Sequence, residues 1–295
     1  MTRSFDINAQ LAHKLIKDQF PQYGHLAVSP VQKQGHDNRT YRLGAKLLIR
    51  MPTSDTYALK VPIEQDVLPK LAKYLTLPIS RPIAMGSPSP DYPYPFSIYA
   101  WLEGSSANTV KISEKEQSII AYQLADFLAE LHSIKNIPGP KPGKHNFWRG
   151  EHLSFYDKDA REQIIKLRDV IDSEKAIELW SSACSQSWKK APVWIHGDLS
   201  TGNILTTNGK LSGIIDFGGM ALGDPACDLV IAWTYLSKKA RSIFINEIKL
   251  DANTWVRARG WALWKATFEL CKIQDKTVNN ATRQKRIINN IIHGK

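Results

Sequence analysis

Residues 193–219 read VWIHGDLSTGNILTTNGKLSGIIDFGG, and no other stretch of the chain restricts the fold so tightly. Two short apolar runs, Val193-Trp194-Ile195 and Gly213-Ile214-Ile215, each stop abruptly in polar residues. His196, Asp198 and Asn203 follow the first run, and Asp216 follows the second. Apolar runs this short, bounded by glycine and polar residues, read as buried strands. Gly197 and Gly202 interrupt any helix around Asp198 and Asn203, which places both on a loop. From Asn203 the chain enters Ile204-Leu205, meets the turn Asn208-Gly209, and returns through residues 211–215 as a hairpin. That return brings Asp216 toward Asn203. Two carboxylates and an amide gathered in this way form an oxygen-only donor set, suited to Mg²⁺, which takes one or two carboxylates and leaves positions for water and phosphate. With no cysteine and one histidine nearby, zinc fits poorly.

The remainder of the chain divides by periodicity. Residues 25–104 are β-rich, with strands expected at 25–31, 39–43, 46–50, 82–85 and 96–102. Leu43-Gly44-Ala45 would turn one strand onto the next. One helix interrupts at 63–75, with Val67, Leu68, Leu71 and Leu75 apolar. Before it, residues 1–20 read as a short amphipathic helix whose charges break up any secretory apolar core. From Ser113 the period changes: Ile120, Leu124, Phe127, Leu128 and Leu131 form a helical stripe, preceded by Ser113 and Glu116 as a capping box. A Pro/Gly-rich connection at 137–143 leads to a helix at 159–171, and helical sequence follows residue 219. The fold class is therefore α+β. A small β-rich N-terminal lobe, 1–103, joins a larger, mainly helical C-terminal lobe, 104–295, at Leu102-Glu103-Gly104. Clefts between two such lobes are favoured places for ligands.

Composition narrows the function classes. No run approaches the roughly 18 apolar residues of a membrane span, so no membrane partner is expected. Three cysteines, scattered and without C-x-x-C spacing, argue against a disulfide framework and fit a reducing cytoplasm. The net charge of +11 suits an anionic ligand such as a nucleotide, or a solvated basic surface. Nucleic acid is not an expected partner, because no binding-module signature accompanies the charge. The basic tail carries helical spacing at Ile287, Ile288, Ile291 and Ile292, which reads as a packed last helix. Oligomeric state is not legible.

His196-Gly197-Asp198-Leu199 with Asn203, followed by Asp216-Phe217-Gly218, resembles the catalytic core of the aminoglycoside phosphotransferase family, small-molecule relatives of protein kinases and choline kinases. The resemblance implies a bilobal protein-kinase-like fold and ATP, or GTP, with Mg²⁺ as cofactors. Asp198 would accept or orient the proton of the substrate hydroxyl, Asn203 would hold one Mg²⁺, and Asp216 would bridge metal and nucleotide phosphates. His196 would brace the loop by hydrogen bonding. Gly223-Asp224-Pro225-Ala226-Cys227-Asp228-Leu229 is also similar to the family's following segment, with Asp228 tying down the catalytic loop.

The same resemblance implies a phosphate cover, a phosphate cation and a hinge. No G-x-G-x-x-G occurs; the equivalent turn is 34–40, where Asn38, Arg39 and Thr40 would serve. Ala58-Leu59-Lys60 mimics the kinase V-A-I-K, yet lies only four residues before Glu64. The matching cation is Arg50, at the end of the strand leaving the first hairpin, with Glu64 holding it toward the phosphates. Arginine in place of lysine exchanges a point charge for a bidentate fork. Main-chain groups near Ala100 and Leu102 would read adenine.

The family implies a hydroxylated antibiotic as acceptor, and so an ATP- or GTP-dependent phosphotransferase with an alcohol acceptor. Aminoglycosides are polycations, against which the charge of +11 argues mildly; Glu151, Asp157, Asp159, Glu162 and Glu269 could still build an acidic pocket. Trp148, Trp261 and Trp264 resemble substrate-lobe positions and would suit a larger, partly apolar acceptor such as a macrolide. Tryptophans at i and i+3 are, however, more often core. Two alternatives stand: a metabolic kinase of a choline-, sugar- or homoserine-like alcohol, and a catalytically silent binding protein on the same fold.

Overall fold

The computed structural model describes residues 6–31 and 34–294. The chain forms two compact units: one runs to Glu103 and takes in Gly213–Gly218, the other comprises Gly104–Ser212 and the chain from Gly219 onward. Residues 213–218 therefore fold with the N-terminal unit. Ile214 exchanges backbone hydrogen bonds with Pro78 and Ser80, and the Asp216 N–H donates to Ser80 Oγ at 3.4 Å.

The first unit opens with α1 (Ala9–Gln19), whose first turn is capped by Asn8 Oδ1 accepting from the Leu11 N–H. Residues 1–5 of the expected N-terminal helix lie outside the described residues. Five strands follow: β1 (Val28–Pro30), β2 (Asn38–Leu43), β3 (Leu47–Pro52), β4 (Pro82–Gly86) and β5 (Phe96–Ala100). They form an antiparallel sheet of order β1-β2-β3-β5-β4. Ala12, Leu15 and Ile16 of α1 share one core cluster with Tyr41, Leu43, Ile49, Met51, Phe96 and Ile98 of the strands. Burying one such large apolar side chain stabilises by about 1.5–3 kcal/mol. Between β3 and β4 lie α2 (Asp55–Ala58) and α3 (Lys60–Leu71). The helix expected at 63–75 thus starts one turn earlier and stops at Leu71, where turn bonds from Lys73 and Tyr74 tighten its end.

The second unit begins with β6 (Ser105–Ser106) and α4 (Glu114–Ser133), whose capping box joins Ser113 and Glu116 reciprocally. The expected helix at 159–171 is α5 (Asp157–Lys166), which stops five residues early, and a second helix the sequence reading did not place, α6 (Ser173–Cys184), follows it. Asp172 accepts from the Lys175 N–H and caps a fresh N-terminus there, which the apolar spacing alone did not reveal. Next come β7 (Val193–Ile195), β8 (Ile204–Thr207), β9 (Lys210–Ile214) and β10 (Ala221–Gly223). Asn208 and Gly209 both have positive φ, as the tight hairpin turn between β8 and β9 demands. Four helices close the chain: α7 (Ile231–Thr234), α8 (Lys238–Ile248), α9 (Ala252–Lys272) and α10 (Asn279–His293). Ile287, Ile288, Ile291 and Ile292 of α10 are buried, so the tail packs as a helix.

Candidate active site

In the second unit, β7 delivers the chain into the loop that carries Asp198. β10 pairs antiparallel with β7, Ala221 opposite Ile195, and brings Gly219 against Gly197. Gly197 has φ +79°, and a Cβ there would lie 2.0 Å from the Gly219 carbonyl oxygen. Any other residue would both strain the backbone and collide with a main chain that cannot withdraw. Asp228, fully buried, accepts the His196 N–H through Oδ2 and the Gly197 N–H through Oδ1, each at 2.7 Å. Burial raises the Asp228 pKa, opposed by His196 and by these two amides. His196 is wholly enclosed, and its Nδ1 accepts the Asp198 N–H at 3.2 Å. Asn203 Nδ2 donates to the Asp198 carbonyl at 2.9 Å, which leaves Oδ1 as the atom able to face a cation. The Asp198 backbone is thus fixed from both sides, while its side chain remains 47% exposed.

Two groups in this unit escaped the sequence reading. Asp224 takes a bidentate pair from Arg257, 2.6 Å from Nε and 3.0 Å from Nη2, with both side chains buried. Lys265 Nζ lies 2.8 Å from Asp198 Oδ1. A usable signal existed for Lys265, a lone charge within the otherwise apolar run 260–264 and 266–268 of α9.

In the first unit Arg50 is the electrostatic centre. Its Nη2 donates to Asp216 Oδ1 at 2.7 Å, and its Nη1 lies 3.6 Å from Glu64 Oε2. Tyr99 also donates its hydroxyl to Glu64. Burial presses against the Arg50 charge but is outweighed by the carboxylates of Asp216 and Glu64, which raise its pKa. Burial likewise raises Glu64, with Arg50 pulling the other way. Asp216 sits at φ +64°, an uncommon conformation that aspartate tolerates better than most residues. Lys60, set aside in the sequence, is buried at the start of α3 and donates to Asp37 Oδ2 at 3.0 Å. The unit therefore carries two largely buried cations beside Glu64 rather than one: Lys60, one helix turn before it on α3, and Arg50 on β3.

Several expected positions need correction. Asn38, Arg39 and Thr40 belong to β2, paired with Pro52, Met51 and Arg50, so the turn is 34–37 alone. The Thr40 main chain is already bonded in both directions by the Gln34 side chain. The Ala100 N–H donates to the Arg81 carbonyl, which removes it as a donor to a base; β5 ends there, and Leu102 lies beyond the ladder. Trp261 and Trp264 are 1% and 4% exposed and fill the interior, with Trp264 Nε1 bonded to Asp159. Trp148 is half-buried and stacks on the exposed Phe155 at 4.6 Å between ring centroids. Glu269 is half-buried on α9. Asp157 is engaged by Arg161 and the Trp180 indole, and Asp159 by Gln163 and Trp264.

An anchored loop bearing an exposed carboxylate, followed in sequence by an aspartate held on a largely buried arginine, is the arrangement expected of a phosphotransferase. The model of the phosphotransferase enzyme family (APH) matches residues 29–262, and the chain belongs to that family. It resembles an aminoglycoside 3′-phosphotransferase of Escherichia coli at 34% identity over 79 residues, 24% of this chain and 28% of that relative's length. Among solved structures, the GDP complex of wild-type aminoglycoside 2′-phosphotransferase-IIIa superposes with a TM-score of 0.73 at 18% identity, covering 97% of this chain and 99% of that one. A macrolide 2′-phosphotransferase type I gives 0.62 at 16% identity, covering 98% and 99%. These likenesses establish the kinase-like α+β fold. Among the described residues no helix is long and apolar enough to cross a membrane.

Proposed function

We propose that the chain transfers the terminal phosphate of ATP or GTP to a hydroxyl of an antibiotic of the aminoglycoside or macrolide type. The observation that carries this reading is the loop 196–203. Its main chain is fixed by Asp228, His196 and Asn203, and it presents one exposed carboxylate. Phosphoryl transfer asks little covalent chemistry of a protein; it asks for positioning and for charge compensation. Asp198 takes, or orients, the proton of the acceptor hydroxyl. Asn203 Oδ1 in the second unit and the Asp216 carboxylate in the first are oxygen groups that would each hold Mg²⁺, which would supply charge neutralisation on the phosphates. Among the described residues no three His, Cys, Asp or Glu side chains gather to hold a metal. Such a donor set suits a cation that keeps water and phosphate ligands rather than a closed protein cage. Arg50, released from Asp216 by nucleotide, binds phosphate oxygens while Glu64 retains it.

Of the two acceptor types, the less cationic one is favoured. The internal engagement of Asp157 and Asp159 leaves them poorly placed to bind a polycation, and Trp148 with Phe155 offers a stacked apolar surface. The test is a phosphate-transfer screen with Mg·ATP and Mg·GTP over aminoglycosides, macrolides, and choline, sugar and homoserine alcohols, with products read by mass spectrometry. A phosphorylated antibiotic is expected. Transfer to a metabolic alcohol alone, or nucleotide binding without any transfer, would overturn the reading.

A further inference from the structure

Lys265 lies on α9 in surroundings that do not suit a charge. Its neighbours along the helix, Trp261, Trp264, Ala266 and Thr267, are all buried, and its own side chain is only 21% exposed. A lysine ammonium is strongly hydrated and ordinarily reaches for water. Here it ends 2.8 Å from Asp198 Oδ1. The loop itself supplies no such cation, since Leu199-Ser200-Thr201-Gly202 follow the aspartate. The bonds from Asp228, His196 and Asn203 fix the main chain around Asp198, but a carboxylate also rotates about its own side-chain torsions. An ammonium can only donate. By holding Oδ1 it restricts how the carboxylate turns about those torsions and so sets its orientation.

We propose that Lys265 is a positioning residue for Asp198: from α9 it grips one carboxylate oxygen and sets the orientation in which the carboxylate meets the acceptor hydroxyl. This rests on reading Asp198 as the group that takes the hydroxyl proton. The balance of the step is simple. The O–H bond breaks as the acceptor oxygen forms its bond to phosphorus, the proton goes to the Asp198 carboxylate, and the nucleoside diphosphate leaves with the electron pair of the broken P–O bond. Lys265 loses no proton in the step, and its charge stays beside the carboxylate throughout.

The experiment compares wild type, Lys265→Met and Lys265→Arg, with Mg·ATP as donor and kanamycin and a macrolide as acceptors. Lys265→Met is expected to lower kcat about 100-fold, the scale of a misplaced reacting group. Its Mg·ATP affinity, read by calorimetry, should be unchanged, and its thermal melt should stay cooperative. Lys265→Arg, which restores a donor to Oδ1, should recover most of the rate. A merely structural lysine would instead lower the melting temperature and reduce nucleotide binding and turnover together, without rescue by arginine. That pattern, or a Lys265→Met enzyme with wild-type kcat, overturns the proposal alone. A wild-type chain that transfers phosphate to neither acceptor removes the reading of Asp198, and the role of Lys265 falls with it.

Discussion

Replacing Asp228 by asparagine preserves the shape of the side chain and exchanges one acceptor for a donor. Both Asp228 oxygens accept main-chain N–H groups, from His196 and from Gly197, at 2.7 Å. An amide can satisfy one of these donors; the other then faces an NH₂ group in a fully buried site. Losing a hydrogen bond to a charged group costs about 1.5–3 kcal/mol. A counterweight exists, because burial raises the Asp228 pKa. A raised carboxylate binds its proton more tightly in the native state, so its ionisation subtracts stability as pH rises through the ordinary carboxylate range. Removing that charge returns part of the loss, so the net change stays below about 3 kcal/mol. At about 2–4 °C per kcal/mol for chains of this order of size, the melting temperature falls by less than about 12 °C. The rate should suffer far more, since the loop bearing Asp198 loses an anchor immediately before it. We expect kcat to fall about 100-fold, with the affinity for nucleotide measured without Mg²⁺ unchanged, because Arg50 and Glu64 belong to the other unit. Steady-state turnover well below the melting transition, beside a thermal melt and a nucleotide titration, tests this. A variant that keeps wild-type kcat, or one whose rate falls only in proportion to its unfolded fraction, would refute the reasoning.

Three further outcomes follow from the same geometry. Arg50→Met should weaken Mg-nucleotide binding about 10- to 100-fold, the scale of a lost hydrogen bond to a charged group, with Arg50→Lys between it and wild type in a calorimetric titration; unchanged affinity would remove Arg50 from the phosphate site. Arg257→Ala leaves Asp224 charged and buried, and should destabilise by about 3–5 kcal/mol in denaturant unfolding. The double variant Asp224→Leu/Arg257→Leu should recover much of that loss, whereas additive losses would show that the pair does not act as a unit. Burial lowers the His132 pKa from 6.5 to about 4, and its Nε2 has no hydrogen-bond partner. The unfolded chain therefore takes up a proton that the native chain refuses as pH falls from 6.5 toward 4. A loss of about 3 kcal/mol across that window is expected, and His132→Gln should flatten it in pH-dependent unfolding.

Much of the fold was legible because its signals are local. The short strands around the loop end in polar residues, the α4 stripe repeats at helical spacing, and the Asn208-Gly209 turn sets its hairpin. What escaped depends on tertiary contacts. Asp172 begins a new helix by capping it, a role that an aspartate between two apolar stretches does not announce. Lys60 looked like a misplaced copy of a strand lysine, yet α3 starts at that residue and buries its ammonium on Asp37. Trp261 and Trp264 carry the aromatic character of a pocket wall, but they face inward on a helix buried along most of its length. The Asp224–Arg257 and Asp198–Lys265 pairs each join residues more than thirty positions apart, beyond the reach of spacing arguments. The Ala100 N–H is donated to the Arg81 carbonyl, a pairing that strand spacing does not announce.

The most direct measurement is single-turnover transfer from γ-labelled Mg·ATP or Mg·GTP to an antibiotic accepted by the wild-type chain, run beside Asp198→Asn. The account predicts a labelled, singly phosphorylated antibiotic from wild type. From the variant it predicts intact nucleotide binding and a rate lower by about 100-fold or more. Labelled antibiotic appearing at the wild-type rate from Asp198→Asn would contradict it.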